Sequence, residues 1–212
     1  MGLKSALVGA LMALVVVGLA TAATRPAVLK FATVVHDSKP VGSDEPYWDV
    51  TKVGEVRGWI IPDAATMTYE YFFFPTADQK KFDALNWNTH FVFFAALKQR
   101  TSGYDLAIRR VVLQRISRRA RQLCIVAAVQ KPAAGKPVVV RPWFSAHAVA
   151  MSSARFHVAG YRYAFPTRWV MRGTNGDVLA VSRAGGAYDE AVPTGKAKLC
   201  TLRSRASDEA LG

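Results

Sequence analysis

Apolar residues occur along this chain in short runs, and most of the runs end at glycine, proline or asparagine. The clearest pair extends from Gly103 to Arg115 and from Arg121 to Gln130, on either side of a basic turn. In the second run the residues of both faces are apolar: Leu123, Ile125, Ala127 and Val129 on one, and Cys124, Val126 and Ala128 on the other. This pattern predicts a central strand that is covered on both sides.

The first strand of this pair does not keep a simple alternation. Leu106 and Ile108 share one face, and Val111 and Leu113 return to that face only if one extra residue is inserted at Arg109-Arg110. An inserted residue of this kind is a β-bulge, which we predict here.

The rest of the chain also favours strands. Further strands are predicted at Val28 to Val35, Tyr47 to Val53, Glu55 to Ile61, Met67 to Phe74, Phe91 to Ala95, Ala146 to Met151, Phe156 to Phe165, Arg168 to Arg172, Val178 to Ser182 and Lys196 to Arg203. Asn175-Gly176 is the strongest turn signal, and His36 to Pro40 is also rich in turn residues. One short helix is predicted from Ala77 to Asn86, capped by Thr76 or Asp78.

These elements predict an all-β fold, or a β-dominated α+β fold, built as an antiparallel sandwich or a partly open barrel with one short helix. We expect a single β domain over 46–203, preceded by an N-terminal strand and linker over 23–45 and followed by a flexible tail over 204–212. With 212 residues, half of them apolar, the chain can bury a sizeable core.

The first 22 residues have the pattern of a signal peptide. Lys4 precedes an uncharged apolar run from Ala6 to Leu19, and Ala20-Thr21-Ala22 matches a small-x-small cleavage site. The pattern predicts a secreted, extracellular protein with no stable membrane span after cleavage. An uncleaved membrane anchor is the alternative.

The segment Thr101-Ser102-Gly103-Tyr104 lies between an apolar strand and the predicted bulged strand, and a Pro/Gly loop from Lys131 to Pro137 follows the hairpin. This order resembles the PrcB C-terminal domain family over roughly 78–158; the family usually has Thr-Gly-Gly-Tyr, and Ser102 stands at its first glycine. The resemblance implies an accessory, non-catalytic partner of a protease. Thr101, Ser102, Gly103 and Tyr104 would then be structural or partner-binding residues, and the position of Gly103 at a strand start indicates an unusual backbone angle or a close neighbour.

The chain is strongly basic, with a net charge of +13. The predicted hairpin turn concentrates arginines at Arg115, Arg118, Arg119 and Arg121. Guanidinium groups bind phosphate and sulfate, so a polyanion- or glycan-binding tip is one interpretation, and a solvated loop that protects the hairpin from other strands is another. No aromatic residue interleaves with the arginines, so specific nucleic-acid binding is not predicted.

The chain has two cysteines, Cys124 and Cys200, on two predicted strands. In a secreted protein this favours a disulfide that ties the C-terminal strand to the central one, and two buried free thiols are the alternative.

Candidate catalytic and metal-binding patterns are weak. The four histidines, His36, His90, His147 and His157, match no metal-ligand spacing, and Ser145 lies near His147 without a G-x-S-x-G elbow. We therefore predict no metal, no cofactor and no enzymatic activity, and favour a secreted protein-interaction module. An enzyme whose site is assembled from distant residues remains a third alternative.

Overall fold

The computed structural model describes residues 26–40, 52–70, 74, 76–115, 121–154, 168–182 and 200. Its strands are β1 Ala27–Leu29, β2 Phe31–Pro40, β3 Val56–Ile61, β4 His90–Thr101, β5 Asp105–Arg115, β6 Arg121–Gln130, β7 Val140–Ser152, β8 Arg168–Gly173 and β9 Val178–Val181. Its helices are α1 Ala64–Glu70 and α2 Thr76–Asp83. Neither helix has the length and apolar character needed to cross a membrane.

The strands form two sheets that pack as a sandwich, which confirms the predicted fold class. One sheet has five strands in the order β1-β5-β6-β8-β9, and the other has four in the order β2-β7-β4-β3. Every neighbouring pair is antiparallel except β6 and β8, which are parallel. The described strands therefore make a mostly antiparallel sandwich rather than a closed barrel.

The main core lies between the sheets. Its members come from both inner faces and include Phe91, Phe93, Leu97, Leu106, Ile125, Val149, Met151, Trp169 and Met171. The rings of Phe93 and Trp169 meet edge to face across the core with centroids 5.3 Å apart. Burial of this many large apolar side chains is the main stabilising contribution to the sandwich.

Two helices cover the outer face of the four-stranded sheet, where one was predicted. Met67 and Phe82 are buried against that face together with Phe74. The predicted strand from Met67 to Phe74 is wrong, because α1 extends to Glu70. Asp63 caps this helix: its Oδ1 accepts a hydrogen bond of 2.7 Å from the Thr66 N–H, and this local capping outweighs the β-propensity of the following residues.

The predicted central strand is confirmed as β6, which pairs with β5 on one side and β8 on the other. Its inner face enters the core, while Cys124 on its outer face forms a disulfide with Cys200, as predicted. Both cysteines are buried beside Val112 and Val170, so the bond joins the C-terminal region to the outer face of the five-stranded sheet. Apart from Cys200, the predicted strand from Lys196 to Arg203 lies outside the described residues.

The predicted bulge is confirmed in β5, whose register with β6 shifts between Ile108 and Arg110. On its other side β5 pairs with β1 only from Val111 to Leu113. Among the described strands, none pairs with the opposite side of β5 before the bulge. This leaves the start of β5 with backbone groups that need partners of another kind.

The N-terminal strand prediction needs two corrections. The predicted strand from Val28 to Val35 is divided at Lys30, because β1 belongs to the five-stranded sheet and β2 to the four-stranded one. The turn predicted at His36 to Pro40 is instead the second half of β2, where pairing with β7 as far as Pro40 opposite Trp143 overrides the local turn preference.

The hairpin predicted around Asn175-Gly176 is confirmed by β8 and β9, with Gly176 at a φ of 89°. The predicted signal sequence over 1–22, the predicted tail over 204–212, residues 116–120 of the predicted turn and the strand predicted from Phe156 to Phe165 lie outside the described residues. So does most of the strand predicted from Tyr47 to Val53, whose last two residues, Lys52 and Val53, are not in a strand.

Candidate interaction surface

The motif loop, residues Thr101 to Tyr104, carries the chain from β4 in one sheet to β5 in the other. Gly103 has a φ of +85°, and a Cβ atom placed on it would lie 3.1 Å from the ring carbons of Pro132. Both expectations for this glycine, an unusual backbone angle and a close neighbour, are confirmed. Gly103 therefore lets the loop after β6 pack directly on the motif loop.

Ser102 forms a second attachment between these loops. Its backbone N–H donates to the carbonyl oxygen of Val139 at 3.0 Å, and its Oγ accepts from the Val139 N–H at 2.9 Å. A glycine at this position could make only the first of these bonds. The hydroxyl of Ser102 thus has a hydrogen-bonding partner in the structure.

Ser102 holds in place a short apolar segment, Val138, Val139 and Val140, which we call the valine arm. These residues are 38%, 53% and 83% exposed. The Arg141 N–H donates to the Val139 carbonyl at 3.1 Å, closing a three-residue turn centred on Val140, the most exposed residue of the three. Single exposed valines are ordinary on a protein surface, so it is the succession of three of them that makes this segment a candidate contact surface.

The surroundings of the valine arm are basic. Lys136 and Arg141 bracket it in the sequence, Arg100 precedes Thr101, which pairs with Val140, and Lys131 precedes Pro132, which packs on Gly103; all four are exposed. The sequence contains no acidic residue from 131 to 144. The ion pairs found within the described residues, His36–Asp105, Arg57–Glu55 and Lys81–Asp78, use none of these four basic residues. Their charges are therefore not neutralised by an ion pair inside the described part of the protein.

A polar cluster lies where β2 and β7 pass the start of β5, on the side of β5 that pairs with none of the described strands before the bulge. The N–H groups of Leu106 and Ile108 donate to Ser145 Oγ and to His147 Nδ1, each at 2.7 Å. Since a backbone N–H can only donate, Nδ1 of His147 must be unprotonated, and its proton lies on Nε2, 3.0 Å from Thr33 Oγ1. The side chains of Ser145 and His147, from the four-stranded sheet, thus accept the hydrogen bonds of two N–H groups at the unpaired edge of the five-stranded sheet.

Asp105 completes this cluster. Its Oδ1 accepts from Ser145 Oγ at 3.2 Å and lies 2.9 Å from Nε2 of His36. The His36 ring stacks on His147 with centroids 4.5 Å apart. Burial, followed by the charges of His36 and Arg109, lowers the pKa of His147 to about 4, against the opposing effect of Asp105.

The geometry of the cluster suits structure rather than nucleophilic chemistry. Ser145 donates to a carboxylate and not to a histidine, and both ring nitrogens of His147 are engaged. These residues therefore do not form the serine–histidine relay that activates a nucleophile. Within the described ranges no three His, Cys, Asp or Glu side chains come together as metal ligands.

The structure does not bring the other predicted site residues to this surface. Arg115 and Arg121 face each other at the far end of β5 and β6, and Arg118 and Arg119 lie outside the described residues. A strand advances about 3.3 Å per residue, so the length of β5 separates the backbone of Arg115 and Arg121 from the motif loop by about 30 Å. The two predicted sites are therefore independent surfaces.

The valine arm was not predicted from the sequence, which indicated only a loop up to Pro137. A signal was present, since three β-branched residues in succession directly follow a proline.

No protein-family model matches this chain, and searches of curated proteins and of solved structures also find no match.

Proposed function

We propose that this protein is a secreted, non-enzymatic protein-binding module whose contact surface is the valine arm. The observation that carries the proposal is the pair of hydrogen bonds by which Ser102 holds the backbone of Val139, while the Val139 side chain stays exposed. A binding segment that is already ordered loses less conformational entropy when a partner docks. The motif loop then has the role of an anchor for the arm.

Neighbouring residues suit a protein partner. Half-buried Trp143 lies just after the arm, and the guanidinium of Arg141 stands 6.0 Å from the centroid of its ring. Tryptophan and arginine are the residue types that most often dominate binding energy at protein interfaces. The arm and these two residues together offer an apolar centre with a polar edge.

The resemblance to the PrcB C-terminal domain family supports the same proposal, since that family acts as an accessory partner of a protease. The signal sequence predicted over residues 1–22 supports a partner outside the cell. A secreted protease, or a protein that works with one, is the partner class that we propose.

The proposal is tested by capturing partners from the secreted fraction with the mature protein, residues 23–212. Val139→Ser should abolish the capture of a specific protein. Val28→Ser is a matched control, because Val28 is also a valine of similar exposure, at 52%, and lies in β1. Equal capture by both variants would place the binding surface elsewhere.

Polyanion or glycan binding is the second candidate function, and Arg115 opposite Arg121 at one end of the hairpin favours it. We expect Arg115→Gln with Arg121→Gln to elute earlier from a heparin column while the capture of a protein partner stays unchanged. An unchanged elution salt concentration would leave the overall positive charge as the cause of any heparin binding.

A further inference from the structure

We infer that the partner binds the valine arm with an acidic, extended segment recognised through its side chains. This inference rests on the proposed function, since it names the chemistry of the partner at the same surface. Three features of the arm carry it: the charges that flank the arm, the hydrogen bonds already made by its backbone, and the kind of apolar residue that it exposes.

The charge argument is one of complementarity. Lys136 and Arg141 bracket the valine arm in the sequence, Arg100 precedes Thr101, which pairs with Val140, and Lys131 precedes Pro132, which packs against Gly103. Within the described residues these four side chains have no ion pair, and the whole chain has a net charge of +13. Carboxylates on a partner would pair with them, whereas a second copy of this chain would be repelled.

The backbone of the arm limits how the partner can bind. The Val139 N–H donates to Ser102, and its carbonyl oxygen accepts from both Ser102 and Arg141. A partner strand that paired with Val139 by main-chain hydrogen bonds would have to break these bonds. The partner is therefore recognised by apolar contact with the valines and by ion pairs with the flanking side chains.

The exposed side chains also favour a protein over a membrane surface. Segments that insert into the membrane interface usually present tryptophan, phenylalanine or leucine on their apolar side. The arm presents three valines, and the nearby Trp143 is half-buried, with its Nε1–H donating to Ser38 Oγ at 2.7 Å. Binding to anionic lipid is the competing outcome that the experiment has to separate.

The test selects peptides from a random displayed library on the immobilised mature protein, and repeats the selection on the double variant Val139→Ser with Val140→Ser. We expect peptides that are enriched only on the unmodified arm to combine aspartate or glutamate with apolar residues. Lys136→Gln with Arg141→Gln should weaken binding of such a peptide about fivefold by fluorescence anisotropy, because two exposed ion pairs of modest strength are lost. Lys30→Gln with Lys80→Gln, which removes two exposed charges elsewhere, should leave the affinity unchanged.

The outcomes separate this inference from the proposed function. Arm-dependent peptides without acidic residues would overturn the inference and leave the proposed function intact. Arm-dependent binding to vesicles that contain phosphatidylserine, with no arm-dependent peptide, would overturn it in favour of a membrane surface. If no selected peptide and no captured protein depends on the arm, the proposed function fails as well.

Discussion

Acid should destabilise this protein through His147, a residue that is only 4% exposed and whose Nδ1 accepts a hydrogen bond from the Ile108 N–H. A proton added to Nδ1 would point a second donor at that N–H, in a site where burial already disfavours the charge. As the pH falls below 6.5, His147 therefore takes up a proton in the unfolded chain before it does so in the folded one. The stabilisation is complete above pH 6.5 and is lost as the pH falls to about 4.

The magnitude follows from the two pKa values. Each pKa unit corresponds to about 1.4 kcal/mol, so the difference between 6.5 and about 4 amounts to about 3 kcal/mol of unfolding free energy. That is a substantial part of the total stability of a typical domain, about 5–15 kcal/mol.

The assay is urea denaturation of the mature protein between neutral pH and pH 4, with His147→Asn as the reference. The asparagine carbonyl can accept from the Ile108 N–H, but it does not titrate. The wild-type protein should lose about 3 kcal/mol more than the variant over this range, since titrating groups distant from His147 affect both proteins equally. Parallel pH profiles for the two proteins would refute the reasoning, because His147 would then titrate as in the unfolded chain.

Three further perturbations should separate the structural roles of the remaining residues. Gly103→Val should cost about 2 kcal/mol or more and lower the melting temperature, since it combines a φ of +85° with a contact against Pro132, whereas Arg118→Ala with Arg119→Ala should melt like the wild type. Ser145→Ala should cost about 1–3 kcal/mol in urea denaturation by leaving the Leu106 N–H unpaired, and Ser145→Thr should recover part of this if the Oγ keeps its position. Reduction of Cys124–Cys200, which closes a separation of 76 residues, should cost about 4 kcal/mol, while alkylation of the denatured, unreduced protein should find no free thiol.

Local alternation in the sequence was sufficient to predict the centre of the fold. Leu106, Ile108, Val111 and Leu113 can share one face of a strand only if one residue is inserted among them. The structure has the bulge there, between Ile108 and Arg110. The apolar character of both faces of the second strand likewise predicted β6 as central. These predictions succeeded because the side chains of a buried strand must obey its two-residue period.

Two features escaped prediction because the deciding contacts are not local in the sequence. Nothing in the sequence places β8 parallel to β6, and the change of sheet at Lys30 depends on pairing with strands far along the chain. The α1 error has a local cause. Asp63 is a capping residue that favours a helix, whereas the β-prone residues from Met67 to Phe74 favour a strand. A capping residue fixes where a helix begins, whereas β-propensity depends on context.

The candidate surface was only partly predictable for the same reason. The motif loop was singled out, and the unusual angle of Gly103 was expected. The sequence indicates His36, Ser145 and His147 as separate candidates, yet only the sandwich brings them into one cluster with Asp105. The valine arm was missed because valines are usually buried, so a short run of them gives no sign of exposure.

The central claim, that the valine arm binds a protein partner, is tested most directly by site-specific photo-cross-linking. A benzophenone amino acid placed at Val140 should cross-link one specific protein from the secreted fraction, and the same group at Val28 should not. The adduct should disappear when Ser102→Gly is added to the Val140 probe, since the hydroxyl that holds the arm is then lost. No adduct at Val140, or the same adduct from both positions, would contradict the account.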